Sequence, residues 1–139
     1  MDGSDNAAAS PQPDRGAGAA ALDSGLFAVE AAQLAVDRHC TDVRLFDVRG
    51  RSHVCDWVLV ASGTSDRQVR SVGREIAQLA REAGLGRYAA RADEAATWLV
   101  IDCIDVVVHL FEPSRRAYYD IDELWSEATE VDFGRSQST

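Results

Sequence analysis

Residues 55–69 read Cys55-Asp56-Trp57-Val58-Leu59-Val60-Ala61-Ser62-Gly63-Thr64-Ser65-Asp66-Arg67-Gln68-Val69. The run Val54 to Ala61 is short, apolar and rich in valine, which predicts a strand with Asp56 inside it. Gly63-Thr64 breaks the strand. Ser65 followed by Gln68 has the spacing of a capping box, so a helix starts here. Its apolar positions Val69, Val72, Ile76, Leu79 and Ala83 recur at helical spacing and form a buried stripe. Gly84 suits the C′ position that ends it. Arg67, Arg70, Arg74 and Arg81 lie mostly off the stripe. Such a face could touch RNA, although a solvated helix face is the commoner reading of a charge run.

Upstream, Ser24 is a good N-cap for a helix carrying Phe27, Ala31, Leu34 and Ala35, with Arg38 and His39 at its C-terminal end. Val43 to Val48 alternates and predicts a strand with one wet face, and Gly50 marks the turn after it. Downstream, a short strand is expected over Arg87 to Ala92. Trp98 to Asp102 and Asp105 to Phe111 read as an apolar hairpin. Pro113 ends it, and Ser114 caps a final helix with Tyr118, Ile121, Leu124 and Trp125. The order predicts an α/β sandwich with a mixed sheet of about five strands flanked by helices. The crossover helix should join neighbouring strands in parallel, and the hairpin should add an antiparallel edge. Residues 1–25, rich in Ala, Gly, Asp, Ser and Pro, read as a mobile tail. Residues 26–133 read as one domain and 134–139 as a loose end.

The chain has 139 residues, with 23 acidic and 14 basic side chains, a net of −9, and every basic residue is arginine. This balance argues against a protein that coats nucleic acid and against docking on anionic lipid. The excess is not evenly spread. Met1 to Ala92 carries 12 acidic and 11 basic residues, whereas Asp93 to Asp132 carries 11 and 2. Cys40, Cys55 and Cys103 are scattered and odd in number, which suggests neither a disulfide framework nor a zinc site. His53 and Asp56 would lie on opposite faces of a strand, so no metal site is expected there. No segment has the length and apolarity of a membrane span, and the N-terminus lacks the order of a signal peptide. A cytoplasmic protein is the expectation.

A glycine-serine turn between a strand and a helix N-terminus is a natural anion site. Nucleotidyl transfer would also need an Asp-x-Asp pair to hold two metal ions. The nearest carboxylates, Asp93 and Glu94, then Asp102 and Asp105, form no such pair. Among His39, His53 and His109, the last sits in a valine strand and reads as a packed, hydrogen-bonded histidine. No G-x-S-x-G elbow occurs. Cys103 has Asp102 and Asp105 beside it, and that charge raises a thiol pKa, so it is a poor nucleophile. What stands out is Trp98 ringed by carboxylates, the composition of a hot spot for a basic partner. The competing reading is that Trp98 packs in the core and the aspartates flank a turn.

Three ordered blocks resemble the ribosomal silencing factor family, also called Iojap-like proteins. The first is Cys55 to Ser65 followed by Arg67-Gln68-Val69. The second is Trp98-Leu99-Val100-Ile101-Asp102 with Asp105-Val106-Val107-Val108-His109-Leu110-Phe111. The third is Arg116, Tyr119-Asp120-Ile121-Asp122 and Leu124-Trp125. The match runs from about Leu26 to Ala128. The resemblance implies a nucleotidyltransferase-like α/β fold without transferase activity, no cofactor, and a homodimer. It implies binding to the large ribosomal subunit through its fourteenth protein, which blocks subunit joining and silences translation when nutrients are scarce. By position it implies a partner surface at Trp98, Asp102, Cys103 and Asp105, with Asp93 and Glu94 as lesser contacts. The alternative is a metal-dependent nucleotidyltransferase of the same fold. The chain departs from the family pattern in three places. Thr97 replaces an acidic residue, Arg91-Ala92 stands for Glu-Gly, and Ile104 replaces the glycine of an Asp-x-Gly-Asp turn. A β-branched residue resists positive φ, so either the turn has another shape or Ile104 is strained.

Overall fold

The computed structural model describes residues 13–85, 89–92 and 98–137. In chain order the elements are α1 (Pro13–Asp37), β1 (Thr41–Asp47), β2 (Trp57–Ser62), α2 (Asp66–Glu82), β3 (Ala89–Ala92), β4 (Trp98–Asp102), β5 (Val106–Phe111), α3 (Pro113–Tyr119), α4 (Ile121–Leu124) and β6 (Thr129–Val131). The strands form one mixed sheet in the order β3-β4-β5-β2-β1-β6. The expected α/β architecture is therefore present, with a sixth strand added.

The connectivity differs from the expectation in one respect. Helix α2 does not carry the chain to a parallel neighbour of β2. It crosses to the far edge at β3, and the chain returns by two antiparallel steps. β5 then lies parallel to β2, from Trp57 opposite Val106 to Ser62 opposite Phe111. The other described pairings, including β1 with β2 and with β6, are antiparallel. β2 is the central strand, and Val58 to Ser62 are all buried, as expected where both sheet faces are covered.

Alternation along the strands builds two cores. On one face α1 and α2 cover Leu45, Leu59, Ile101, Val106, Val108 and Leu110 with Phe27, Ala31, Val69, Val72 and Ile76. On the other face Phe46, Val58, Val60 and Phe111 are capped by Ile121, Trp125 and Ala128. This second cover meets β1, β2 and the Phe111 end of β5, so among the described residues β3, β4 and the rest of β5 have no helix on their outer face.

Helix ends account for several corrections. α1 starts at Pro13 rather than near Ser24. Alanine-rich sequence is strongly helical, and proline is tolerated at the first position. Ser24 is thus inside the helix, fully buried, with its hydroxyl donating to Asp105 Oδ2 at 3.2 Å. The expected final helix is two short ones, broken by Asp120 at φ 54°, and its N-cap is Glu112, not Ser114. Pro113 at the first turn explains the shift. β2 begins at Trp57, because the Asp105 carbonyl accepts both the Asp56 and Trp57 N–H groups and ends the ladder there. Val54 and Asp56 fall outside the strand. Past Gly134, Gln137 accepts from the Val43 N–H at 2.8 Å and donates to its carbonyl at 3.0 Å. None of the described helices is long and apolar enough to cross a membrane.

One buried ion cluster ties the third sequence block to the sheet. Arg116, 7% exposed, forms a two-pronged bond to Asp122 at 2.9 and 2.7 Å and donates to Ser62 Oγ at 3.0 Å and to the Asp42 carbonyl. Arg44 adds a contact to Asp122 at 3.1 Å and one to Glu130 at 2.8 Å, which anchors β6. Asp122 is held below the usual carboxylate range by Arg116 and Arg44, against the opposing effect of burial. Removing Arg116 would strand a largely buried carboxylate. Arg116→Ala should therefore lower stability by about 3 kcal/mol, the low end for a broken buried pair because Arg44 still faces Asp122. Arg116→Lys should recover only part, since lysine lacks the planar fork. Urea midpoints of the three proteins check both statements.

Candidate functional site

The uncovered half of the sheet holds the candidate site. Strand register places Arg91, Val100 and His109 in a row across β3, β4 and β5. Trp98 stands opposite Phe111 and Asp102 opposite Val107. These side chains share one face because residues two apart on a strand point the same way. All of them except the buried Phe111, together with Val54 and Ala92, line a shallow groove of about 500 Å³.

Trp98 is packed on the sheet and partly exposed. Its ring stacks on Phe111 at 5.6 Å and on His109 at 6.0 Å between centroids, so it is anchored in the sheet. Its indole N–H donates to His109 Nδ1 at 3.1 Å. It is still only half-buried and lines the groove. His109 is the packed, hydrogen-bonded histidine expected, and burial pushes its imidazole down to about 4. At neutral pH the ring is uncharged and can accept from Trp98.

Structure divides the expected contact residues. Asp102 joins Trp98 at the groove, and its Oδ1 accepts from the Ile104 N–H at 2.9 Å. Asp105 is turned the other way, toward Ser24 of α1. Cys103 is 3% exposed and packs in the core under α1 and α2, which corrects the expectation that it touches a partner. Burial, with Asp102 as the second cause, pushes its thiol up to about 11. Asp93, Glu94 and Thr97 lie outside the described residues. Val54, Val100, Val107 and His109 were missed as lining residues. The signal was present, since Trp98, Val100 and Asp102 alternate with Leu99 and Ile101.

The hairpin tip resolves the question raised by Ile104. Its φ is 73°, in the left-handed region, and the side chain is 54% exposed. The turn keeps the shape that a glycine would serve, and the isoleucine is strained in it.

The Gly63-Thr64-Ser65 turn is closed by the chain itself. Ser65 caps α2 by accepting from the Gln68 N–H at 3.1 Å. Gln68 Oε1 accepts from the Thr64 N–H and, at 3.0 Å, from the Thr64 hydroxyl. Its amide donates to the Arg38 carbonyl at 2.7 Å. The second arm of the capping box thus reaches Thr64 instead of Ser65. A Cβ on Gly63 would come within 2.7 Å of Val69 Cγ2, so glycine is required here for close packing. Among the described residues no group of three or more His, Cys, Asp or Glu is placed to hold a metal ion.

Residues 23–139 match the family model described as "Ribosomal silencing factor during starvation". The chain belongs to the ribosomal silencing factor family. It is 37% identical over 109 residues to the ribosomal silencing factor of Bacillus subtilis, covering 77% of this chain and 92% of that protein. It is also 27% identical over 106 residues to the chloroplastic protein Iojap of Zea mays, covering 76% of this chain and 46% of that one. A crystal structure of a Bacillus halodurans protein superposes with a TM-score of 0.64 at 31% identity, covering 80% of this chain and 98% of that one. One from Chromobacterium violaceum gives 0.66 at 28% identity, covering 85% and 95%. In this silencing factor family member the second sequence block is the groove, and the third supplies Arg116 and Asp122 of the buried ion cluster.

Two outcomes follow from the site. His109 binds a proton at pH 6.5 when unfolded but only near 4 when folded. The unfolded chain therefore holds the extra proton in that window. Its stabilising effect is complete above pH 6.5 and is lost as pH falls through 4, by about 3 kcal/mol at most. Urea midpoints measured across that range should fall with acidification, and His109→Gln, which keeps an acceptor for Trp98, should flatten the slope. Ile104→Gly should raise stability by about 1 kcal/mol through relief of the left-handed strain, net of glycine's greater unfolded freedom. A thermal melt that is unchanged or lowered contradicts it.

Proposed function

We propose that this protein silences translation by binding the large ribosomal subunit through its fourteenth protein and sterically blocking the small subunit, under nutrient limitation and in the cytoplasm. It would act as a homodimer. No bond is made or broken in this reading. The observation that carries it is the groove on this sheet face, lined by a stacked tryptophan at one end of β4 and Asp102 at the other. Aromatic anchors set in a desolvated patch dominate protein interfaces, and a carboxylate at its margin favours a basic partner. Family membership supports the ribosomal destination, because the B. subtilis relative carries the name ribosomal silencing factor. Segment 93–132, with its net of −9, includes the groove strands β4 and β5 and suits a ribosomal protein that faces RNA. Trp98 and Asp102 are assigned as the principal contacts. Asp93 and Glu94 before Trp98 are assigned as secondary ones, whereas Asp105, whose carboxylate faces Ser24 of α1, lies outside that surface.

Cosedimentation with purified large subunits and light scattering of subunit association test the proposal. Trp98→Ala should weaken binding by about 2 kcal/mol or more, the usual cost of removing a central aromatic anchor. Because Trp98 also stacks within the sheet, Asp102→Asn is the companion variant. It keeps the acceptor for Ile104 and removes only the charge. It should weaken binding several-fold and reduce its salt dependence. Wild-type protein that neither sediments with large subunits nor slows joining rules the proposal out.

A further inference from the structure

We infer that the exposed face of α2 is a second contact surface, one that takes the phosphate backbone of duplex RNA. Arg67, Arg70, Arg74 and Arg81 are all exposed. At 100° per residue they fall within an arc of roughly 60°, and at 1.5 Å per residue they span about 21 Å. Gln78 completes the same strip, and Arg81 donates to it. Among the described residues Arg67, Arg70 and Arg74 make no ion pair, whereas Arg38, Arg44, Arg49, Arg116 and Arg135 each have an acidic partner. Glu75, the carboxylate nearest the middle of the helix, is already engaged by Arg38 at 2.9 Å. A protein with net charge −9 thus keeps Arg67, Arg70 and Arg74 in a row with no ion pair among the described residues.

Three features choose among anionic partners. Arginine presents a planar fork that fits phosphate oxygens in pairs. A membrane-surface helix needs an apolar face to bury in lipid, but the apolar face of α2 (Val69, Val72, Ile76) is already in the core. No aromatic residue lies on α2 to stack on unpaired bases, so contact is with a backbone, as in shape-based recognition of duplex RNA. The row lies on the helix-covered side of the sheet and the Trp98 groove on the other, so both can be occupied together. The choice of RNA over other duplexes rests on the ribosomal reading of the groove.

The test is anisotropy of a labelled RNA hairpin with a stem of about 20 base pairs, titrated with full-length protein over a series of salt concentrations. Wild type should bind at low salt. The triple variant Arg67→Gln, Arg70→Gln, Arg74→Gln keeps helix-forming side chains and should bind at least about tenfold more weakly, with a salt slope reduced by about 2 to 3. Trp98→Ala should bind the hairpin as wild type does, which separates this surface from the groove. The inference is overturned by wild type that fails to bind the hairpin. It is also overturned by a folded triple variant with unchanged affinity and slope, or by binding to polyglutamate in preference to the hairpin.

Discussion

The parallel ladder between β2 and β5 is the constraint on which the rest depends. β2 joins the α1–β1 half of the chain to α2, and β5 joins the returning meander to α3. Among the described residues their ladder is the strand pairing that joins the two halves of the sheet. Parallel strands need a long crossover, and here it includes a helix and two further strands. The excursion leaves β3 and β4 beyond the reach of α3 and α4. The uncovered groove is therefore a product of topology, and the residues on it need only alternate correctly.

Charge is sorted by element as well as by sequence. Carboxylates concentrate in the segment that includes β4, β5 and the short helices, where several are already used to hold arginines in place. Arg116 and Arg44 spend their donors on Asp122 and Glu130, so that part of the acidic excess is structural. Asp102 is not engaged in that way. It makes one bond to a backbone N–H and otherwise faces the groove. Helix α2 carries the opposite arrangement: among the described residues its Arg67, Arg70 and Arg74 make no ion pair.

Most of the fold was legible because its signals are local. The capping pair Ser65 and Gln68, the stripe on α2 and the alternation in β4 and β5 all read directly. What was hidden depends on distant partners. Ser24 reads as a cap, but its hydroxyl answers Asp105, 81 residues away. β6 has only three residues and exists because Arg44 and the edge of β1 receive it. In the groove, Trp98 and Asp102 already stand out by composition. Asp105 and Cys103 could not be separated from them without knowing which way the turn at Ile104 sends each side chain. Asp102, one position from Cys103, points to the opposite face, and that follows from strand geometry alone.

The closed turn at Thr64 has a consequence for how the two helices on the covered face are held. Gln68 occupies the place an anion would take, and its other end grips the residue just past α1 through the Arg38 carbonyl. Any anion entering there must displace the glutamine and release that grip. Occupancy of the turn and docking of α1 on α2 are therefore antagonistic, and by reciprocity each weakens the other by the same free energy. The glutamine thereby makes a glycine-serine turn at a helix N-terminus into a clasp between two helices.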